Sequence, residues 1–290
     1  MKKSKLTYNN FYYYLLLVLP LLVIYVMFFV IPVLQSMFYS FTNFNGLNPS
    51  VKFVGLNNYS VAFTDKSFLK ATVNTVAFAL GVTVFQNLFA ILLALGLNRR
   101  FRGRDIMRTL VFAPCMLSPI VVAFLWEFIY KPDGLINTLF GSSVIWLGNQ
   151  ATALWAVMFA HVWMWMGYSA TIYLSNLQNI SEDVLEAAAM DGCGGWKRFW
   201  RIIFPMLAPS TTINVSLAFT QSLKIFDIVY AMTNGGPQGA TETMGTYVMK
   251  QMNNNLHGYA SALTVVMMVL IVVSGQFLIR NLKRREEALY

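Results

Sequence analysis

Six stretches of this chain contain no Asp, Glu, Lys or Arg: residues 13–34, 76–97, 109–126, 153–174, 206–223 and 259–279, with lengths of 22, 22, 18, 22, 18 and 21. A helix of about 20 apolar residues crosses the roughly 30 Å hydrocarbon core of a bilayer, since each residue adds about 1.5 Å. The expectation is therefore an all-α, polytopic membrane protein with six transmembrane helices. Composition agrees. Hydrophobic residues make up 57% and charged residues 11%, at a mean hydropathy of +0.56, whereas a soluble domain carries about 25% charged residues. Disorder, collagen and coiled coil all need more charge, Gly or heptad content than this. Two cysteines, Cys115 and Cys193, make no disulfide framework and read as small packing residues.

The fifth stretch is polar for a span, with Ser210, Thr211, Thr212, Asn214, Ser216, Thr220, Gln221 and Ser222. It is expected to be sheltered by protein rather than to face lipid. The basic start, Lys2, Lys3 and Lys5, resembles a signal peptide, but a 22-residue apolar run without a small-residue cleavage site reads as a retained first span.

Orientation follows the basic residues near the span ends. Fifteen lie on one side, in the groups Lys2–Lys5, Arg99–Arg108, Lys197–Arg201 and Arg280–Arg285, and five on the other: Lys52, Lys66, Lys70, Lys131 and Lys250. Both termini are thus expected in the cytoplasm. The net charge of +9 is a topology signal first, and no soluble basic face with base-reading residues points to nucleic acid. The outer loops are roughly 35–75, 131–152 and 231–257. The first carries Phe53, Gly55, Leu56, Tyr59 and Phe63 before Asp65, a pattern for an interfacial helix. Residues 1–290 read as a single transmembrane domain without a repeat. No phosphate-binding Gly-x-x-x-x-Gly-Lys-Ser/Thr loop, metal cluster or hydrolase signature is visible, so no catalytic or metal-binding residue is assigned. His161 reads as a packing residue. Glu127 and Lys131, four apart, are expected to pair.

Most information lies in the cytoplasmic loop, about 176–205. Ser181 suits a helix N-cap, and Glu182 and Asp183 favour the positive helix end. A short helix over 182–191 is expected to stop at Gly192, which tolerates a left-handed cap, and a second to run from about Trp196 toward Pro205. Ala187, Ala188 and Ala189 make the first helix thin beside Glu186, which is compatible with a solvated loop or with insertion into a partner's groove.

The run Glu186-Ala187-Ala188, then Gly192, Ile202 and Pro205 resembles the EAA loop of ABC-importer permeases, with Phe204 where the family has Leu. Phe226-Asp-Ile-Val-Tyr230, Thr233-Asn-Gly-Gly-Pro237, Gly258-Tyr-Ala-Ser-Ala262 and Phe53-Val-Gly-Leu-Asn-Asn-Tyr59 resemble the carbohydrate-uptake, maltose-type branch. Leu-Pro20, Ile-Pro32 and Ser-Phe-Thr42 are similar to the first, MalF-like permease of such pairs.

The resemblance implies the ABC-importer permease fold in a bacterial or archaeal plasma membrane. It implies a related second permease, two cytoplasmic ATPase subunits and an extracytoplasmic binding protein that delivers a sugar or oligosaccharide. Glu186, Ala187, Ala188, Asp191, Gly192, Ile202 and Pro205 would couple to the ATPase. No cofactor is expected on this chain, with ATP and Mg on the partners, and the chain itself is not expected to be an enzyme.

Candidates for the substrate path are Trp163, Tyr168, Gln221, Ser222, Lys224 and Asp227, the fifth span being taken to extend over 206–230. The aromatics suit stacking on a pyranose ring or plain helix packing. Lys224 and Asp227, three apart on one helical turn, suit a structural pair or the path. Gly235, Gly236 and Pro237 read as a flexible outer turn where the binding protein docks. The alternatives are an ABC permease for a non-sugar solute such as glycerol phosphate, an ion-coupled secondary transporter, and a channel or scaffold.

Overall fold

The structure, a computed structural model, describes residues 9–47, 51–99 and 101–288, with side chains from Tyr14 onward. Lys2, Lys3, Lys5 and Arg100, used above for orientation, lie outside the described residues. Among those described, the chain is helical and its one strand-like feature is an isolated bridge between Thr42 and Phe53. The chain divides into two compact units, residues up to Thr64 with Lys250–Val266, and Asp65–Met249 with the residues from Met267 on.

In the first unit, helix α1 (Asn9–Tyr25) continues through a π-helical turn, Val26–Val30, into α2 (Ile31–Tyr39). The π-turn has a sequence cause. A proline ring clashes with the carbonyl four residues earlier, here that of Phe28, and a widened turn relieves the clash. Tyr14–Tyr39 is long and apolar enough to cross a membrane, and its most apolar stretch is not buried by the rest of the protein. The segment expected to form an interfacial helix is helical as α3 (Asn57–Thr64), with Phe53 and Leu56 exposed before it and Phe63 exposed within it.

The second unit begins with α4 (Lys66–Asn98), capped by Asp65, whose Oδ1 accepts from the amides of Ser67 and Phe68 at 2.9 and 3.4 Å. The third apolar stretch is not one straight span. It is α5 (Arg104–Phe112), a 3-10 turn at Ala113–Met116, and α6 (Pro119–Ile129), bent by 104°. Pro119 pushes Ser118 out of the helical region to ψ 141°, as a residue before proline requires.

After α7 (Leu135–Phe140) comes α8 (Gln150–Gln178), where the fourth span was expected. Among the described residues, three helices are long and apolar enough to cross a membrane, or five if each bent pair is one span, and α8 is not among them. Its 29 residues are long enough, but 14 are buried, including His161, Gly167 and Ser169. Its polarity is turned into protein, chiefly against α4.

Helix α9 (Glu182–Met190) is followed by α10 (Gly195–Arg198), a second π-turn (Phe199–Ile203) and α11 (Phe204–Met206). This π-turn again sits just before a proline, Pro205, and contains the Arg201 carbonyl that the ring would meet. Next come α12 (Ala208–Ser222), bent by 71° from the preceding leg, α13 (Asp227–Thr233), α14 (Met244–Asn253) and α15 (His257–Glu287).

Gly167 shows how tightly these helices approach. A Cβ there would lie 1.9 Å from the Val111 carbonyl oxygen, so only glycine fits. His161 is buried with its ring edge-on to Phe78 at 5.7 Å, a packing role. Cys115 and Cys193 are both free.

Candidate coupling loop and translocation seam

The loop between α8 and α12 is anchored by apolar residues and presents its polar ones. Ile180, Leu185, Ile203, Met206 and Leu207 join a cluster with Ala90, Ala94, Tyr173, Leu174 and Leu177 from α4 and α8. Helix α9 therefore has one side fixed to the body. Glu182, Asp183, Glu186, Ala187, Ala189 and Met190 are exposed, while Ala188 is buried against its own protein.

The expected helix stop is present in detail. Gly192 has φ +71°, its amide donates to the Ala189 carbonyl at 3.1 Å, and the Cys193 amide donates to Ala188 at 2.9 Å. This is a Schellman motif, which satisfies carbonyls that the helix end would otherwise leave unpaired. Ser181 has the extended backbone of an N-cap, but its side chain makes no capping bond. The capping expected of Ser181 is corrected on that point.

Asp191 and Gly192 are exposed, and Ile202 and Pro205 are half-buried in the leg leading to α12. Sequence reasoning missed the two most exposed large apolar groups on this loop. Met190 is 84% exposed and Trp196 77% exposed, flanking the Gly192 turn on either side. Their signal is bulk without helical periodicity in a charged loop, which an apolar-face search passes over.

Between the long helices runs a polar seam. Gln86 Nε2 donates to Ser169 Oγ at 2.8 Å, Tyr173 OH to Asn87 Oδ1 at 2.7 Å, Asn176 Nδ2 to Ser210 Oγ at 2.9 Å, and Asn214 Nδ2 to the Ser169 carbonyl at 3.1 Å. Ser210, Thr212, Asn214 and Ser222 are buried, so the polar fifth stretch is sheltered as its composition required. The Oγ atoms of Ser216 and Ser222 are buried without a hydrogen-bond partner.

The six expected path residues are not gathered into one cavity. Trp163 packs edge-on to Trp126 at 5.6 Å, and Tyr168, half-exposed, meets Trp165 at 6.0 Å. Gln221 is exposed and Ser222 fully buried. Lys224 and Asp227 are both exposed and do not pair. The physical reason is that α12 ends at Ser222 and α13 starts at Asp227, so the two never share a helical turn. Glu127 and Lys131 likewise do not pair, because α6 ends at Ile129 and the Lys131 ammonium lies over the Phe128 ring at 5.2 Å.

The turn at Gly235-Gly236-Pro237 is braced rather than free. Asn74 Nδ2 donates to the carbonyls of Gly239, Ala240 and Glu242 at 3.0–3.2 Å. Lys70 Nζ donates to the Gln238 carbonyl at 3.1 Å, and Thr241 Oγ1 donates to that of Gly236 at 2.6 Å. Gln150 bonds the Gln238 side chain, and the Tyr247 hydroxyl donates to Asp65.

Residues 86–287 match a family described as the binding-protein-dependent transport system inner membrane component. Among curated proteins, the chain is 32% identical to the multiple sugar-binding transport system permease protein MsmF of Streptococcus mutans, covering 91% of this chain and 93% of that one. It is 32% identical to the trehalose/maltose transport system permease protein MalF of Thermococcus litoralis, covering 93% of each. It is 34% identical to the sn-glycerol-3-phosphate transport system permease protein UgpA of Agrobacterium fabrum, covering 92% of this chain and 93% of that one. Among solved structures, a chain of a bacterial alginate ABC transporter, in complex with an alginate pentasaccharide-bound periplasmic protein, superposes with a TM-score of 0.81 at 20% identity, covering 93% of each chain.

Proposed function

The chain belongs to the family of binding-protein-dependent transport system inner membrane components, and from that premise we propose that it is one permease subunit of an ATP-driven importer for a sugar or oligosaccharide. It works in a bacterial or archaeal plasma membrane, with six membrane crossings and both termini in the cytoplasm. The bent pairs α5–α6 and α10–α12 each serve as one crossing and α8 as a sheltered one. A second, related permease completes the path, two ATPase subunits bind ATP and Mg beneath it, and an extracytoplasmic binding protein delivers the cargo. No chemistry is catalysed on this chain. The sugar reading draws on MsmF and MalF. A glycerol phosphate cargo is the second reading, and the UgpA relative favours it.

The observation that carries the proposal is the build of α9. An alternating-access change needs a stiff element joining the energy source to the helices. Here Leu185 packs α9 against the apolar cluster built from α4 and α8 and Ala188 is buried, while Glu186, Ala187, Asp191 and Gly192 remain outward. Ile202 and Pro205 carry that motion into α12, whose polar residues reach the seam. Tyr168, Gln221, Lys224 and Asp227 supply exposed polar and aromatic groups to the path once a second permease faces them. Trp163 and Ser222 support it from within.

The Gly192→Asp variant tests this. A Cβ at 192 meets no heavy atom within 4 Å, and Asp is among the residues that visit the left-handed region, at a cost of about 1 kcal/mol at φ +71°, so the complex is expected to assemble, with uptake reduced at least tenfold. Wild-type uptake in that variant rejects the coupling role of the loop. Thermal-shift screening of the binding protein separates sugar from phosphorylated polyol.

A further inference from the structure

Helix α5 and the groove beside it carry a feature that transport coupling does not use. In α5, Arg104, Asp105, Arg108 and Thr109 share one face and Ile106, Met107, Leu110 and Val111 the other, the division of an interfacial amphipathic helix. Ile106, Met107 and Leu110 are each more than half exposed. The 104° bend before α6 sets the α5 leg across the direction of α6, so α5 forms the headgroup-level end of that crossing, with one face toward lipid and the other toward headgroups.

Beside this helix lies an apolar groove of about 450 Å³ between α4, α5 and α8, lined by Leu92, Leu93, Gly96, Met107, Val111 and Met166 among others. Phe101 lines this groove and also a second recess whose lining includes Arg104. Arg99 and Arg102 are exposed in the same connection. The one acid there, Asp105, is 84% exposed and lies 3.4 Å from Arg104 and 4.0 Å from Arg108, so a single carboxylate is set against Arg99, Arg102, Arg104 and Arg108 and the cluster keeps a surplus of positive charge. The Arg108 guanidinium turns back to the Leu97 carbonyl at 3.4 Å, which ties α5 to the end of α4.

We propose that this groove binds an anionic phospholipid, with one acyl chain lying along Leu92, Gly96 and Met107 and the headgroup phosphate held by Arg99, Arg102 and Arg104. An apolar slot opening onto a cluster of exposed arginines selects an amphiphile with a negative head. A peptide helix would leave those charges unmatched. The leaflet follows the orientation proposed above, but the binding chemistry does not depend on it.

The test is native mass spectrometry of the purified full-length chain, titrated separately with dioleoyl-phosphatidylglycerol and dioleoyl-phosphatidylcholine. Phosphatidylglycerol is expected to bind more tightly. A basic residue near an anionic headgroup contributes about a fivefold affinity gain, so Arg102→Gln with Arg104→Gln should weaken phosphatidylglycerol roughly 25-fold and leave phosphatidylcholine unchanged. Gly96→Leu fills the groove and should remove both lipids. A Cβ at 96 meets no heavy atom within 4 Å, so this variant is expected to melt no lower than wild type. Equal affinity for the two lipids overturns the proposal, as does phosphatidylglycerol retained undiminished by Gly96→Leu. Loss of the lipid when the chain assembles with its partners also overturns it, since a protein then occupies the groove.

Discussion

The loop carrying α9 and the loop carrying Gly235 both turn on glycines with positive φ, yet they are built in opposite ways. A Cβ at Gly192, with φ +71°, would meet nothing within 4 Å, whereas one at Gly235, with φ +82°, would lie 2.9 Å from the Glu242 carboxylate. The α9 loop is held by apolar side chains from beneath and leaves its charges and its turn free. The Gly235 loop is laced by hydrogen bonds from Asn74, Lys70 and Thr241. A helix fixed along one side with a free outer surface can pass a displacement as a rigid body. A laced turn can only hold a shape. The first arrangement suits a part that is pushed, and the second a part against which something else is positioned.

The largest expected effect comes from unlacing the second loop. Asn74→Ala removes one amide that serves three carbonyls at once. An unsatisfied buried polar group costs about 1–3 kcal/mol, and carbonyls near the surface recover some of that from water. The expected loss is therefore about 2 kcal/mol, read as a lower melting temperature and as new proteolytic cleavage within residues 233–243. Cleavage unchanged from wild type would mean that the loop is held by something other than Asn74.

A matched pair of glycine replacements sharpens the contrast. In both loops alanine pays the left-handed backbone cost of roughly 1–2 kcal/mol. Only Gly235→Ala must also displace a carboxylate. We expect Gly235→Ala to lower stability clearly more than Gly192→Ala, with the order read from thermal melts of the purified chain. The reverse order would show that the open turn is not open in solution.

Local chemistry was legible and continuity was not. The α9 helix, its stop at Gly192 and the sheltering of the polar fifth stretch each follow from residues close in sequence. The bend in the third stretch also had its cause in view, in Pro114 and Pro119, but a count of charge-free residues does not weigh prolines. The break between α12 and α13 is different, since no Gly or Pro lies between Pro209 and Gly235 to announce it. It is stabilised from elsewhere. Thr243 Oγ1 donates to the Ile225 carbonyl at 3.2 Å, replacing a helical bond with a partner 18 residues away. A Cβ at Gly245 would come within 3.0 Å of the same oxygen, so the close approach depends on that glycine. Nothing local to residues 222–227 encodes either contact.

That break yields the smallest effect and the most specific test. If residues 206–230 formed one helix, Lys224 and Asp227 would be neighbours on its surface, and an i, i+3 pair contributes about 0.2–0.5 kcal/mol. In the structure, Lys224 lies in the connection after Ser222, and Asp227 opens the next helix. Both are exposed, and no ion pair joins them. A double-mutant cycle with Lys224→Ala and Asp227→Ala should accordingly give a coupling free energy near zero, measured by denaturation of the purified chain. Asp227 alone should show a small cost, because an acid in the first turn of α13 interacts favourably with the helix dipole by about 0.3–1 kcal/mol. A coupling as large as that single-site effect would mean that α12 runs on unbroken in the membrane and that the brace from Thr243 to Ile225 is not made. Additivity, with the whole effect on the Asp227 side, leaves the two charges independent of each other and exposed at the break between α12 and α13.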